Sequence, residues 1–258
     1  MILALKLCLT PFFIAAVTLA GRRWGPVASG LMTGLPLTSG PVSVILALQY
    51  GTHFAARAAV GSVVGQASVC IFCLTYAVAA RRSAWPVSAA AALAAFLAAT
   101  AVWNGFSWSL GAAAAVLLGV IVLLTWRMRA PAAAASAPIP APRWDLPARM
   151  IVATLFVLLL TTFANALGSQ LSGLLSPLPV FGTVLAVFTH RQQGAAATAR
   201  LLRGIVVGSL AFGAFFVVTG LCVDALPLPL TYLLACGAAL GGSGLAFFLT
   251  QVKETARN

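Results

Sequence analysis

A stretch of 37 residues in this chain recurs, without a gap, 143 positions later. Residues 29–65 read SGLMTGLPLTSGPVSVILALQYGTHFAARAAVGSVVG, and residues 172–208 read SGLLSPLPVFGTVLAVFTHRQQGAAATARLLRGIVVG. Fourteen aligned positions are identical, among them Gly30/Gly173, Leu35/Leu178, Pro36/Pro179, Gln49/Gln192, Gly51/Gly194, Arg57/Arg200, Gly61/Gly204 and Gly65/Gly208. The offset persists outside this stretch, at Lys6/Arg149, Phe13/Phe156, Gly25/Gly168, Phe72/Phe215 and Pro86/Pro229. A repeat on this scale constrains the fold more than any local propensity does.

The repeated unit is written in membrane residues. The chain is 62% hydrophobic, with only three acids (Asp145, Asp224, Glu254) against fifteen Lys and Arg. A soluble core needs far less apolar sequence, so the chain reads as an integral membrane protein. The basic residues lie in short gaps between apolar runs, without a basic-aromatic patch. They read as topology signals, not as a nucleic-acid surface.

A spanning helix needs about 20 apolar residues. Nine such spans are expected, near 3–20, 26–50, 55–79, 84–103, 107–126, 148–167, 172–190, 198–222 and 226–250. The first is not a cleaved signal, since the heavier charge follows it and its repeat partner is internal. Spans 1–4 match spans 6–9, and the fifth has no mate. The expected organisation is a first four-helix repeat (1–103), a linking helix (104–129), a Pro/Ala-rich cytoplasmic linker (130–147), a second repeat (148–251) and a tail (252–258). The linker is too poor in large apolar residues to span, and its prolines stiffen it.

An odd number of spans between the copies inverts the second relative to the first. Charge gives an independent check. With nine spans, Arg22, Arg23, Arg81, Arg82, Arg127, Arg129, Arg143, Arg149, Arg191, Arg200, Arg203, Lys253 and Arg257 share one face, and only Lys6 and Arg57 fall on the other. By the positive-inside rule the N-terminus is outside and the C-terminus cytoplasmic, in a bacterial inner membrane. The fold class is all-α, with two inverted four-helix repeats.

Spans 2 and 7 are interrupted in corresponding places, at 34–41 and 176–183. Each proline removes a backbone donor and frees a carbonyl. Freed backbone is tolerated in a bilayer only inside protein or against water. Paired, interrupted spans in inverted repeats point to the binding site of an alternating-access transporter. The expected substrate contacts are Pro36, Thr38, Ser39 and Pro41 on the first repeat and Pro179 and Thr183 on the second, with Ser176 nearby. A half-helix starting there offers free N–H groups to an anion. Arg57 and Arg200, each opening the next span at opposite faces, are expected to attract or gate an anion. Gln49 and Gln192 end the broken spans and are expected at the gates or as helix caps. Gly61/Gly65 and Gly204/Gly208 read as packing surfaces that hold spans 3 and 8, plausibly against each other.

Other chemistry is not written here. No acid lies inside an expected span, which argues against a proton or sodium relay on a buried carboxylate. Cys70 and Cys73 form a CxxC inside an apolar helix and read as packing residues. His53 and His190 lie at span ends and read as structural. No P-loop, G-x-S-x-G, metal-ligand pair or cofactor motif occurs. The expectation is a non-enzyme without cofactor or metal.

The run GLMTGLPLTSGPVSVI, within a four-span half, resembles a little-characterised group of half-length bacterial multi-pass membrane proteins that carry an LPLTS-like run in their second helix. The resemblance covers residues 1–103. It implies that the four-span unit assembles in pairs, here fused into one chain, and it leaves room for a homodimer. The second repeat reads LPVFG where the first reads LPLTS, which shifts the polar contacts to Thr38 and Ser39. The functional expectation is a secondary-type transporter of a small anionic or amphipathic organic solute, with the lipid bilayer as its other partner and no nucleic acid. The alternatives are a lipid flippase or scramblase using the breaks as a groove, or a membrane assembly factor without transport.

Overall fold

The computed structural model describes residues 2–36, 39–128, 144–164 and 178–255. Among these the chain is helical and contains no strand. The helices are α1 (Ile2–Trp24), α2 (Pro26–Thr33), α3 (Ser39–Tyr50), α4 (Thr52–Ala79), α5 (Trp85–Asn104), α6 (Leu110–Arg127), α7 (Asp145–Ala164), α8 (Val180–Cys222) and α9 (Leu228–Thr255). Four of them, α4, α5, α6 and α8, are long and apolar enough to cross a membrane. Three helix boundaries recur at the sequence offset: the starts of α1 and α7, the ends of α4 and α8, and the starts of α5 and α9.

Burial separates the helices into a centre and a periphery. In the most apolar window of α4, 72% of residues are buried, and in α8 61%, against 22% in α5 and in α6. The outer helices instead expose Leu97, Val102, Leu118, Val122 and Leu123. Faces this apolar suit lipid and not water. Trp24, Trp85, Trp126 and Trp144 are exposed. Each adjoins one of the arginine clusters in sequence, as an interfacial aromatic belt requires. The Arg23 guanidinium lies over the Trp24 ring, 5.6 Å from its centre.

Single glycines, not loops, make the inner turns. Gly51 separates α3 from α4 with φ 87° and ψ 165°. At the equivalent place in the second repeat, Gly194 takes φ 82° and ψ −179° inside α8. Only glycine adopts this left-sided, extended conformation without strain. A straight helix of the length of α8 would run about 64 Å, twice the hydrocarbon core. The turn at Gly194 divides it into a first arm (180–193) and a second (195–222). The expected spans 7 and 8 were separated by residues 191–197. One residue suffices because the helical hydrogen bonding resumes at once on both sides of it. Across Gly51, Ala47 and Ala55 join Val223 in one small buried cluster.

Contacts at the helix ends fix direction. His53 Nδ1, at the start of α4, lies 3.5 Å from Asp224 Oδ2, just past the end of α8. Tyr76, near the end of α4, meets the ring of His190, near the bend in α8, at 5.9 Å. So α4 and the second arm of α8 run antiparallel. The same holds for α1 and α7, since Arg22 in the last turn of α1 reaches Asp145 at the start of α7.

The tightest packing is backbone against backbone. A Cβ placed on Gly30 would stand 2.1 Å from the Leu201 carbonyl oxygen, and one on Gly34 2.4 Å from the Gly208 carbonyl carbon. Reciprocally, Gly204 would meet the Val27 carbonyl oxygen at 2.6 Å and Gly208 that of Leu31 at 2.7 Å. Two small-xxx-small faces therefore interlock, the standard means of close approach between membrane helices. The partner differs from expectation. Gly204 and Gly208 face α2, the half-helix before the first break, and not α4. A half-helix of eight residues needs a neighbour close enough to bury its whole backbone, and only glycine allows that.

Gly30→Ala and Gly204→Ala are each expected to cost about 3 kcal/mol or more, the upper range for overpacking, because backbone atoms stand where the methyl must go. Gly119→Ala, with nothing within 4 Å of its Cβ, is expected to be neutral or stabilising by up to about 1 kcal/mol. Thermal unfolding of the purified variants in detergent checks both.

Candidate functional site

The first interruption is a true break. α2 stops at Thr33 and α3 starts at Ser39, with Pro36 outside both. The Pro36 carbonyl oxygen accepts from Gly40 N at 2.9 Å, and the Pro179 carbonyl oxygen from Thr183 N at 2.7 Å. These two bonds are equivalent under the offset. In each repeat the proline carbonyl is turned inward to begin a new helix. Thr183 also donates its hydroxyl to the Pro179 oxygen, at 2.7 Å. Thr38 and Ser176 lie outside the described residues. Pro36 and Pro41 are half-buried, while Ser39, Pro179 and Thr183 are buried.

Both breaks lean on the same stretch of α8. Gly34 abuts Gly208 in backbone contact, and Gly40 faces the Phe215 ring. The second break packs there too, since a Cβ on Gly182 would meet the Ile205 side chain at 3.4 Å. Ile205 and Gly208 are one turn apart, about 5 Å along the axis, so the breaks lie at a similar depth.

A polar contact sits at that depth. Gln66 Nε2 in α4 donates to Ser209 Oγ in α8 at 2.8 Å, and Ser209 Oγ donates in turn to the Ile205 carbonyl. Both side chains are buried. The two residues are 143 apart, so each touches its own counterpart in the other repeat. Arg57 and Arg200 lie nine residues before Gln66 and Ser209. On antiparallel helices that puts them on opposite sides of this contact, about 27 Å apart along the bundle. Arg57 is exposed and Arg200 half-buried. They do not meet.

The strongest electrostatic feature was expected to be no feature at all. Asp145 was assigned to the linker, with span 6 starting at 148. It is instead the first residue of α7, with its side chain 1% exposed. A carboxylate is favoured at a helix N-terminus, and three side chains converge on it. Arg22 Nη2 from α1 approaches at 2.9 Å, and Arg149 Nε, one turn on, at 3.0 and 3.1 Å. Gln192 Nε2 from the first arm of α8 also donates to it. Arg149 Nη2 then donates to Gln192 Oε1 at 3.3 Å. The Arg149 guanidinium lies over the Phe188 ring at 4.8 Å. Burial alone would raise the Asp145 carboxyl pKa. Hydrogen bonds from Gln192 and Arg22, with the charge and hydrogen bond of Arg149, outweigh that and hold it below its ordinary 3.8. Asp145 precedes the apolar run of α7, so the cluster lies at one end of the bundle.

Of the two glutamines, the structure brings only Gln192 into this cluster. Gln49, its counterpart, is exposed. Just inside the cluster, the Tyr76 hydroxyl and His190 Nδ1 are buried without a hydrogen-bond partner. Sequence reasoning passed over Gln66, Ser209, Asp145, Arg149 and Arg22 as site residues. The signal for the first two was their offset of 143, and for the third its scarcity as one of three acids.

Among the described residues no group of His, Cys, Asp and Glu could hold a metal ion. No protein-family model, curated protein or solved structure matches this chain.

Asp145→Asn is expected to cost about 3 kcal/mol, as for breaking a buried ion pair from one side. Arg22→Gln, whose side chain is 40% exposed, should cost under about 1 kcal/mol. The depressed carboxyl pKa also sets a pH dependence. Its contribution is complete above the ordinary value of 3.8 and is lost as pH falls through the lower folded value. Thermal unfolding in detergent should therefore show no loss from this group at neutral pH and a loss below about pH 4 that is missing in Asp145→Asn.

Proposed function

We propose that this chain is a secondary-type transporter of a bacterial inner membrane, moving a small anionic or amphipathic organic solute by alternating access. The observation that carries the reading is the pair of helix starts at Pro36 and Pro179. They make the same carbonyl hydrogen bond at equivalent positions and lie at a similar depth against α8. Breaks of this kind are kept where a substrate meets backbone groups.

The remaining parts of the proposal follow from the same geometry. Helices 1–4 and 6–9 of a nine-span chain form two inverted repeats. In support, α1 against α7 and α4 against the second arm of α8 are antiparallel pairs of counterparts. The positive-inside rule puts the arginine-rich end, with the Asp145 cluster, in the cytoplasm and the N-terminus outside. The solute meets the region of Pro36, Thr38, Ser39 and Pro41 from one side and of Pro179 and Thr183 from the other. The second repeat reads LPVFG where the first reads LPLTS, so Thr38 and Ser39 supply more of the polar contact. Arg57 and Arg200, at opposite mouths, raise the local concentration of an anion.

Uptake into liposomes by the purified protein, against a panel of carboxylates, phosphate compounds and amino acids, tests this. Saturable uptake of one anionic class is expected. Arg57→Ala should slow it about tenfold at low ionic strength and less in high salt. Absence of uptake across the panel would count against transport, and unchanged uptake in the variant would remove Arg57 from the mechanism.

A further inference from the structure

The Asp145 cluster has no equivalent under the repeat offset; the other end carries instead the exposed contact of His53 with Asp224. Under the offset of 143, Asp145 corresponds to Ile2, Arg149 to Lys6, Gln192 to Gln49, Phe188 to Ile45 and Arg22 to Asn165. A base and a glutamine are kept, but the carboxylate that joins them is absent. Gln49 is correspondingly exposed, where Gln192 is half-buried. The repeats agree in their breaks and in their glycine turns, and differ in this buried carboxylate.

Its position gives the difference a mechanical meaning. The carboxylate ties the last turn of α1, the first turn of α7 and the first arm of α8 to one point. Gln192 stands two residues before the turn at Gly194. Val184, Phe188 and Gln192 follow one another at helical spacing on the first arm, so the arm runs inward directly beneath the cluster. Behind it lie the unpartnered Tyr76 hydroxyl and His190 Nδ1. Buried polar groups without partners are costly, and water or a polar solute would satisfy them if this end opened.

We propose that Asp145, Arg149, Gln192 and Arg22 form a one-sided ionic latch that holds the arginine-rich end of the bundle shut, and that opening proceeds by release of the first arm of α8 about Gly194. The proposal rests on the transporter reading for its purpose, but not for its test. The conformation described is the one closed at this end.

The test is chemical access from one side. Val184, 4% exposed and two turns inside Gln192, is replaced by cysteine in a chain whose native cysteines are changed to alanine or serine. The full chain is placed in vesicles of known orientation and treated with a membrane-impermeant methanethiosulfonate. With the latch intact, Cys at this position reacts slowly from either side. Asp145→Asn is expected to speed the reaction about ten- to a hundredfold, as loss of charged hydrogen bonds predicts, and only from the arginine-rich side. Gln192→Ala removes one arm of the latch without stranding a charge, and should do the same more weakly if Asp145→Asn does not fold. Unchanged rates in the folded variants overturn the latch, as does an equal increase from both sides, which would mean general loosening. A one-sided increase in a protein that moves nothing across liposomes keeps the latch and removes transport.

Discussion

A bilayer offers no hydrogen bonds to an interrupted helix, so a chain that breaks its helices must bury the breaks in itself. Most of this structure follows from that constraint. The break at Pro36 leaves α2 as a half-helix of eight residues. Its backbone is covered by the glycine face of α8 at distances that exclude any side chain. At the second break, Pro179 carries its carbonyl into the bond from Thr183, and Gly182 packs against Ile205. Both interruptions need one shared wall. The second arm of α8 is that wall, and this explains why it is buried while α5 and α6 face outward.

Antiparallel pairing of counterparts adds a second consequence. Gln66 and Ser209, 143 positions apart in sequence, meet where α4 and the second arm of α8 run side by side, and their hydrogen bond lies within a turn of the glycine contact. Polar side chains at such a crossing act as glue whose worth is modest, on the order of 1 kcal/mol. They also set register, because a slip by one residue would bury both groups unpaired.

The parts legible in the sequence were those that depend on the repeat. The helical class, the break after Gly34 and the kinship of Gly51 with Gly194 could be read from the residues, because each demands a residue type at a fixed place; of the nine expected spans, four helices are long and apolar enough to cross a membrane among the described residues. The pairing of glycine faces could not. Gly204 and Gly208 announce a close approach, but a stripe of small residues does not name its partner. The assignment of Asp145 to the linker failed for a related reason. Hydropathy starts a span where apolar residues start, whereas a helix starts where its first carbonyl is used. The turn Asp145-Leu146-Pro147-Ala148 is already helical, with an acid and a proline in the first turn, where a helix accommodates both. Its burial depends on Arg22 and Gln192, far away in sequence, and no local pattern foretells that.

The glycine contact and the Asp145 cluster suit opposite roles. Backbone packing between α2 and α8 is short-ranged and has no aqueous substitute, so parting those helices loses it outright. An ion pair behaves differently. Its attraction is offset by the desolvation of both charges, and its net worth is small even when the loss of one partner alone is severe. Released together into water, Asp145, Arg149 and Arg22 recover their hydration, and the contact can be broken and remade at little net cost. A bundle that rocks would therefore keep α2 and the second arm of α8 as one body. It would yield where charges meet near a glycine turn, at the first arm, whereas the other end offers only an exposed contact, His53 with Asp224, in place of a buried carboxylate.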